Sequence, residues 1–125
     1  MQPITTSGAP RPAGHYVQGL AHGGLVFVAG QLPLDPASGV LVGPDDIVAQ
    51  TEQTLANVAA ILAAGGSDLS RVVSLTIYVT AREQWAAVNE TCARIFGAHR
   101  PARTVIPVPA LREGCLIEMQ AIGAL

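Results

Sequence analysis

The sequence predicts an α+β protein in which two helices cover one face of a single mixed sheet. Two segments carry apolar residues at helical spacing, and five others alternate apolar and polar residues as strands do. Their order along the chain is β-β-α-β-α-β-β, and each helix has one apolar stripe. We therefore expect a two-layer sandwich formed by residues 1–125 as one domain, since no shift in composition marks a second.

The chain is predicted to begin with an arm and a hairpin. Residues up to about Gly14 are rich in Pro, Gly, Ser and Thr, which indicates an extended arm. Residues 16–20 and 25–29 have the composition of two strands, and His22-Gly23-Gly24 between them has that of a tight turn.

Helix and strand then alternate. A first helix is expected to start at 44–46, where acidic residues suit its N-terminus, and to stop at Gly65-Gly66. Residues 72–80 predict a strand with unlike faces. Its apolar face is predicted to comprise Val73, Leu75, Ile77 and Val79. The apolar stripe of the second helix is predicted to comprise Trp85, Val88, Cys92, Ile95 and Phe96, with Gly97 at its end.

Arg103 and Glu118 are charged residues inside the last two predicted strands. A charge on a half-buried strand must be paired or used, because burial without a partner is costly. If these strands pair antiparallel through residues 109–112, the two side chains lie directly opposite each other on one face. The arginine would then offer a fork to a substrate carboxylate, and the glutamate would hold and activate a water. A plain cross-strand ion pair is the alternative interpretation.

The composition limits the class of protein. Half of the residues are hydrophobic, only 13% are charged, and the mean hydropathy is +0.40. A small chain of this kind is expected to bury part of its surface against copies of itself. Gly, Pro and polar residues interrupt every apolar run before it reaches the length of a membrane span. The N-terminus lacks the features of a signal peptide, so a cytoplasmic protein is expected.

Residue types exclude several chemistries. All seven basic residues are arginine, which excludes a lysine Schiff base and the lysine-containing phosphate-binding loop. The net charge of −2 and the scattered arginines argue against a nucleic-acid partner. Cys92 and Cys115 are expected to be buried small hydrophobes, since they share no CxxC spacing. The three histidines match no metal-ligand spacing, so neither a metal nor a cofactor is expected.

Six segments carry the most specific pattern in the chain. They are Gly14-His15-Tyr16-Val17-Gln18-Gly19, 26–35, the helix from Gln50-Thr51, 88–90, Pro101-Ala102-Arg103 and 117–122. In this order and spacing they resemble the reactive intermediate deaminase family, also called RidA or YjgF. The resemblance implies a fold like that of chorismate mutase and a homotrimer with pockets between subunits. It also implies hydrolysis of reactive imine and enamine acids, such as 2-aminoacrylate or 2-iminobutyrate, to 2-keto acids and ammonia.

The resemblance assigns roles to particular residues. Arg103 would clamp the substrate carboxylate and Glu118 would position the attacking water. Tyr16, Gly30 and Asn89 would line the pocket. Ala29 stands where many relatives have a serine that helps to hold the carboxylate, which affects the expected substrate range. His15 likewise replaces a common proline, and Val105 a cysteine of some relatives.

Other functions are compatible with the same residues. One is a non-catalytic trimer that binds keto acids or regulates another process, and the alanine at position 29 favours it. Another is deamination of an aminomuconate-type enamine by the same water chemistry. RNA cleavage is reported for some relatives, but the sequence pI of about 5.8 and the absence of lysine argue against it here.

Overall fold

The computed structural model describes residues 1–125 throughout. The strands are β1 (Gln2–Ile4), β2 (Gly19–His22), β3 (Leu25–Gln31), β4 (Val72–Val79), β5 (Ala102–Pro107) and β6 (Ile117–Ala124). The helices are α1 (Ile47–Ala64) and α2 (Trp85–Phe96), and short 3-10 turns at Leu69–Arg71 and Arg82–Gln84 precede β4 and α2. None of the helices has the length and apolar character needed to cross a membrane.

The six strands form one mixed sheet in the order β1-β2-β3-β6-β4-β5. Only the β4–β5 pair is parallel; every other neighbouring pair is antiparallel. The apolar stripes of both helices join the inward side chains of β3, β4 and β6 in one hydrophobic core. The predicted α+β sandwich, with two helices on one face of a mixed sheet, is confirmed.

The N-terminal prediction is wrong in two respects. Gln2–Ile4 forms an edge strand paired with β2 instead of belonging to the arm, and the Ile4 side chain is buried in the core. Three residues are too few for a periodic pattern, so only the tertiary contact reveals this strand. The next strand begins at Gly19 instead of residue 16, because Gln18 points its amide into the arm. Its Oε1 accepts from the Thr6 backbone N–H at 2.7 Å.

The predicted hairpin turn is confirmed. His22 pairs with Leu25, which leaves a two-residue connection between β2 and β3. Gly23 and Gly24 adopt φ values of 59° and 77°, the left-handed region that a type I′ turn requires at both positions. Glycine occupies this region without the steric cost that a side chain would add.

A β-bulge changes the predicted faces of β4. The register shifts between Val72 and Ser74, so that Val72 enters the core and Val73 points outward with 47% of its surface exposed. The placement of Val73 on the apolar face is therefore wrong. Leu75, Ile77 and Val79 are buried against the helices, as the alternation predicted.

The predicted pairing of the last two strands is also wrong. Strand β4 lies between β5 and β6 and is hydrogen-bonded to both of them. Arg103 is paired with Leu75, whereas Glu118 is paired with Tyr78. The two charges are therefore not opposite each other on neighbouring strands.

Candidate active site

Arg103 lies on the helix-covered side of the edge strand β5. Paired residues on neighbouring strands point to the same side of a sheet, and the partner of Arg103 is Leu75, a core residue. The long side chain can leave the core because β5 has no neighbour beyond it. Its guanidinium thus reaches the surface beside α2 while its backbone stays in the sheet.

Two side chains from the start of α2 hold the guanidinium. Arg103 Nη1 donates a hydrogen bond of 2.8 Å to Asn89 Oδ1. The Cζ atom of Arg103 lies 5.9 Å from the centroid of the Trp85 ring, within the range of a cation–π contact. Trp85 and Asn89 are four residues apart on one helix, so they face the same direction.

Arg103 has no carboxylate partner. The two salt bridges of the chain join Arg82 to Glu83 and Arg94 to Glu52. Arginine has five N–H donors, and the Asn89 contact uses one of them. Arg103 also lines a cavity of about 510 Å³ between α2 and β5, where its remaining donors can bind a carboxylate in bidentate fashion.

Glu118 lies on the opposite side of the sheet, in the interior strand β6. Its neighbours Ile117 and Met119 are fully buried on the helix side, so Glu118 points to the other face. No salt bridge uses its carboxylate. Burial raises the pKa of Glu118, because a desolvated carboxyl group favours its neutral form. A partly desolvated carboxylate with a raised pKa is suited to accept a proton.

A second bulge brings Gly30 against the Glu118 carboxylate. The register between β3 and β6 shifts between Val28 and Gln31, which displaces the backbone at this point. A Cβ atom on Gly30 would collide with Glu118 Oε1. The absence of a side chain at Gly30 therefore lets the Glu118 carboxylate lie directly against the backbone of β3.

Ala29 and Tyr16 complete this side of the sheet. The Ala29 N–H donates to the Gln18 carbonyl at 2.9 Å, and its methyl group provides no hydrogen bond in place of the family serine. The Tyr16 ring is 52% exposed and lines a small cleft together with Gly30 and Arg112. Its hydroxyl accepts from the Ala13 N–H at 3.2 Å.

The predicted site residues thus form two groups. One, which we call the arginine half-site, consists of Arg103, Asn89 and Trp85. The other, the glutamate half-site, consists of Glu118, Gly30, Ala29 and Tyr16. Within a chain the charged groups lie on opposite faces, two strands apart, which is roughly 10 Å across the sheet. The structure therefore brings Asn89 and Trp85 to Arg103 and brings Gly30 to Glu118, while Tyr16 shares a cleft with Gly30. It separates the two groups from each other.

Trp85 is the site residue that sequence reasoning missed. Its position in the apolar stripe of α2 predicted a core residue, but its side chain is 48% exposed and contacts Arg103. The available signal was the four-residue spacing from Trp85 to Asn89, which places an aromatic ring next to a predicted ligand contact on one helix face.

The cysteines and histidines do not form a metal site. Cys92 and Cys115 are free and buried, as predicted, and burial raises the pKa of both thiols. No group of three or more His, Cys, Asp or Glu side chains has the proximity needed to hold a metal ion. His99 contacts the Val72 carbonyl through Nε2 at 2.7 Å.

The fold and these groups define a small two-layer α+β protein with an unpaired arginine fork on one face of its sheet and a desolvated glutamate on the other. Such a protein is equipped to bind a small acid and to activate a water.

Comparisons with known proteins identify the family. The sequence profile described as Endoribonuclease L-PSP matches residues 6–125. The chain is 42% identical over 120 residues to a RutC family protein of Pyrococcus horikoshii, covering 96% of this chain and 94% of that protein. It is 38% identical over 123 residues to the 2-iminobutanoate/2-iminopropanoate deaminase of Salmonella typhimurium, again covering 96% and 94%. The solved structure of the E. coli YjgF gene product superposes with a TM-score of 0.93 at 35% identity. The match covers 99% of this chain and 98% of that one.

The chain therefore belongs to the Endoribonuclease L-PSP family, and its resemblance to RidA/YjgF proteins is confirmed.

Proposed function

We propose that this protein hydrolyses reactive 2-imino and 2-enamino acids, such as 2-iminobutyrate and 2-aminoacrylate, to 2-keto acids and ammonia. The observation that carries the proposal is the unpaired Arg103 fork, which Asn89 and Trp85 hold in place. The raised pKa of Glu118 and the packing of its carboxylate against the Gly30 backbone support it. Relatives named 2-iminobutanoate/2-iminopropanoate deaminase, 37–38% identical to this chain, point to the same reaction.

The chemistry assigns one task to each charged group. Arg103 binds the substrate carboxylate and thereby fixes the position of the neighbouring imine carbon. A 2-enamino acid first takes up a proton at C3 and loses one from nitrogen, which gives its 2-imino acid tautomer. Water then adds to C2, and its proton passes to the Glu118 carboxylate. Glu118 returns that proton to the nitrogen to give the neutral carbinolamine. It then transfers the hydroxyl proton to the nitrogen as the C–N bond breaks, which releases ammonia and the 2-keto acid.

The two half-sites act together only if they come from different copies of the chain. We therefore include a homotrimer in the proposal, with Arg103 of one subunit facing Glu118 of the next. The sheet face opposite the helices supports this assembly, because it exposes 38% of Phe27 and 47% of Val73. Ser74, Thr76 and Gln120 share that face and line a shallow cavity of about 180 Å³. A face of mixed character suits contact between subunits better than exposure to water.

Ala29 bears on the substrate range of the proposed enzyme. A serine hydroxyl at this position would add one hydrogen bond to the carboxylate, and its loss costs about 0.5–1.5 kcal/mol. The arginine fork supplies the larger, charge-assisted contact and remains intact. We expect that Ala29→Ser tightens binding of a keto acid by up to about tenfold without changing the reaction.

The decisive test combines turnover with subunit mixing. The wild-type protein is incubated with freshly generated 2-iminobutyrate, and ammonia release is compared with the uncatalysed rate. Arg103→Ala and Glu118→Gln chains with different tags are then co-expressed, and the mixed oligomers are purified through both tags.

A shared site predicts recovered activity in the mixture. Each single variant lacks one half of every site, whereas every mixed trimer of the two contains both halves at one site of its three, or about one site in three. Recovery of roughly that fraction of the wild-type rate supports the proposal. No recovery from a mixed trimer, or a stable monomer in native mass spectrometry, would eliminate the shared site. Binding of keto acids without any turnover would indicate the regulatory alternative.

A further inference from the structure

The cavity that holds Arg103 continues beyond that residue along the end of α2. Its volume of about 510 Å³ is typical of sites for small organic ligands. Leu75, Phe96 and Pro101 supply apolar wall, and Arg100 lines the same cavity as Arg103. The space is therefore larger than one carboxylate clamp requires, and it contains a second guanidinium.

The charges around this cavity all have the same sign. Arg100 and Arg103 line it, and no Asp or Glu does. Neither arginine takes part in a salt bridge. The chain as a whole has more acidic than basic residues, nine against seven, so two arginines without an acid are a local departure from its composition. Such a cavity attracts anions and favours a ligand with two negative groups over a ligand with one.

The segment that carries Arg100 is fixed to the core. His99 Nε2 lies 2.7 Å from the carbonyl oxygen of Val72. A carbonyl can only accept, so this nitrogen is the donor of the hydrogen bond. The His99 ring also lies against Phe96, with 6.3 Å between the centroids. These contacts hold the turn between α2 and β5, and Arg100 follows directly after the anchored residue.

We infer that Arg100 forms a second carboxylate subsite, and that the preferred ligands are dicarboxylic 2-imino and 2-oxo acids. The carboxylate next to the imine or keto carbon binds Arg103, and the distal carboxylate binds Arg100. The inference rests on the proposed role of Arg103 and leaves the reaction unchanged. It narrows the substrate class from 2-imino acids in general to those derived from acidic amino acids.

Binding of stable keto acids tests this subsite without turnover. Calorimetry would give the dissociation constants of 2-oxoglutarate and of 2-oxoglutaramate, which has the same length but a neutral distal amide. We expect wild-type protein to bind 2-oxoglutarate roughly three- to tenfold more tightly, the lower figure reflecting the exposure of Arg100. Added salt should reduce this preference.

Arg100→Ala should bring the ratio of the two dissociation constants close to one. Arg94→Ala is the matched control, because Arg94 lies near Arg100 in the sequence, on α2, but pairs with Glu52 at 3.3 Å and does not line the cavity. It should retain the wild-type ratio. An equal affinity for both ligands in the wild type, or an unchanged ratio in Arg100→Ala, would overturn the inference.

Turnover on the same preparations separates this inference from the proposed function. Hydrolysis of 2-iminobutyrate without any preference for the dicarboxylate would remove the second subsite and leave the proposed enzyme intact. An Arg100-dependent preference without turnover would support the subsite and contradict the hydrolase.

Discussion

The arginine and glutamate half-sites hold a charge on the same sheet by different means. Arg103 stands on the outermost strand, and its guanidinium reaches the surface, where an amide and an aromatic ring orient it. Glu118 stands on an interior strand between β3 and β4, and burial raises the pKa of its carboxyl group. Arg103 is thus oriented by contacts that leave most of its N–H donors free to bind a ligand. Glu118, in contrast, becomes a better proton acceptor because partial removal of water raises the pKa of its carboxyl group.

The largest expected effect is the loss of turnover in Glu118→Gln. An amide cannot accept the proton of the attacking water, and general-base assistance is typically worth about 10²–10⁴ in rate. Affinity for 2-oxobutyrate should change little, because the arginine half-site is untouched. Turnover and calorimetric affinity are measured on one preparation. A rate within a few-fold of the wild type, with normal folding, would show that Glu118 is not the base.

Arg103→Ala should instead abolish ligand binding together with turnover. A charged hydrogen-bond pair is worth about 1.5–3 kcal/mol, and loss of orientation adds to this, so the rate should fall by at least roughly a hundredfold. Arg103→Lys should not restore it, since an ammonium group cannot bind a carboxylate with a planar fork. Full rescue by lysine would show that only the charge matters.

Replacing the side chains that orient Arg103 should have intermediate effects. Asn89→Ala removes one hydrogen bond and should weaken 2-oxobutyrate binding by about two- to tenfold. Trp85→Leu removes a half-exposed cation–π contact worth about 0.5–1 kcal/mol, so a few-fold loss is expected. Trp85→Phe keeps an aromatic face and should bind more tightly than Trp85→Leu. Identical affinities for the two Trp85 variants would show that the ring does not orient Arg103.

The smallest expected effect is on stability. Its sign differs between a Glu118 carboxylate that is desolvated without a partner and one that is stabilised by an ion pair. The folded protein raises the pKa of this carboxyl group, so it binds more protons than the unfolded chain above the ordinary pKa. Stability should therefore increase as the pH falls through the raised pKa, and ionised Glu118 should be a cost at neutral pH. Glu118→Gln should melt at the same temperature as the wild type or slightly higher. A lower melting temperature at pH 7 would indicate that the carboxylate has a stabilising partner.

The same raised pKa predicts the acidic limb of the rate profile. The base works only when ionised, so kcat/KM should fall as the pH drops through a value above 4.5, the ordinary pKa of glutamate. A rate that stays constant below pH 4.5 would contradict a role for Glu118 in the free enzyme.

Buried polar side chains illustrate what the local pattern could not predict. Gln50 lies inside α1, where its amide contacts the Gly43 and Gly114 carbonyls and the Leu116 N–H. Asn57, two turns further on, donates to the Leu32 and Leu34 carbonyls. These residues fix the loops around the sheet. Most of their partners are distant in sequence, so helical periodicity does not predict these contacts.

The sequence alone predicts both helices, five of the six strands, the glycine turn between β2 and β3, the two-layer arrangement and the charged residues of interest. Each of these features depends on the spacing of residues within one segment or on the conformational freedom of glycine. Both can be read from a short stretch of sequence. Only the tertiary structure decided that β4 separates β5 from β6, and hence that Arg103 and Glu118 lie on opposite faces. Alternation shows which residues of a strand share a face, but not which strand lies beside it. That choice depends on contacts between distant segments, and the short β5–β6 connection fitted a hairpin equally well.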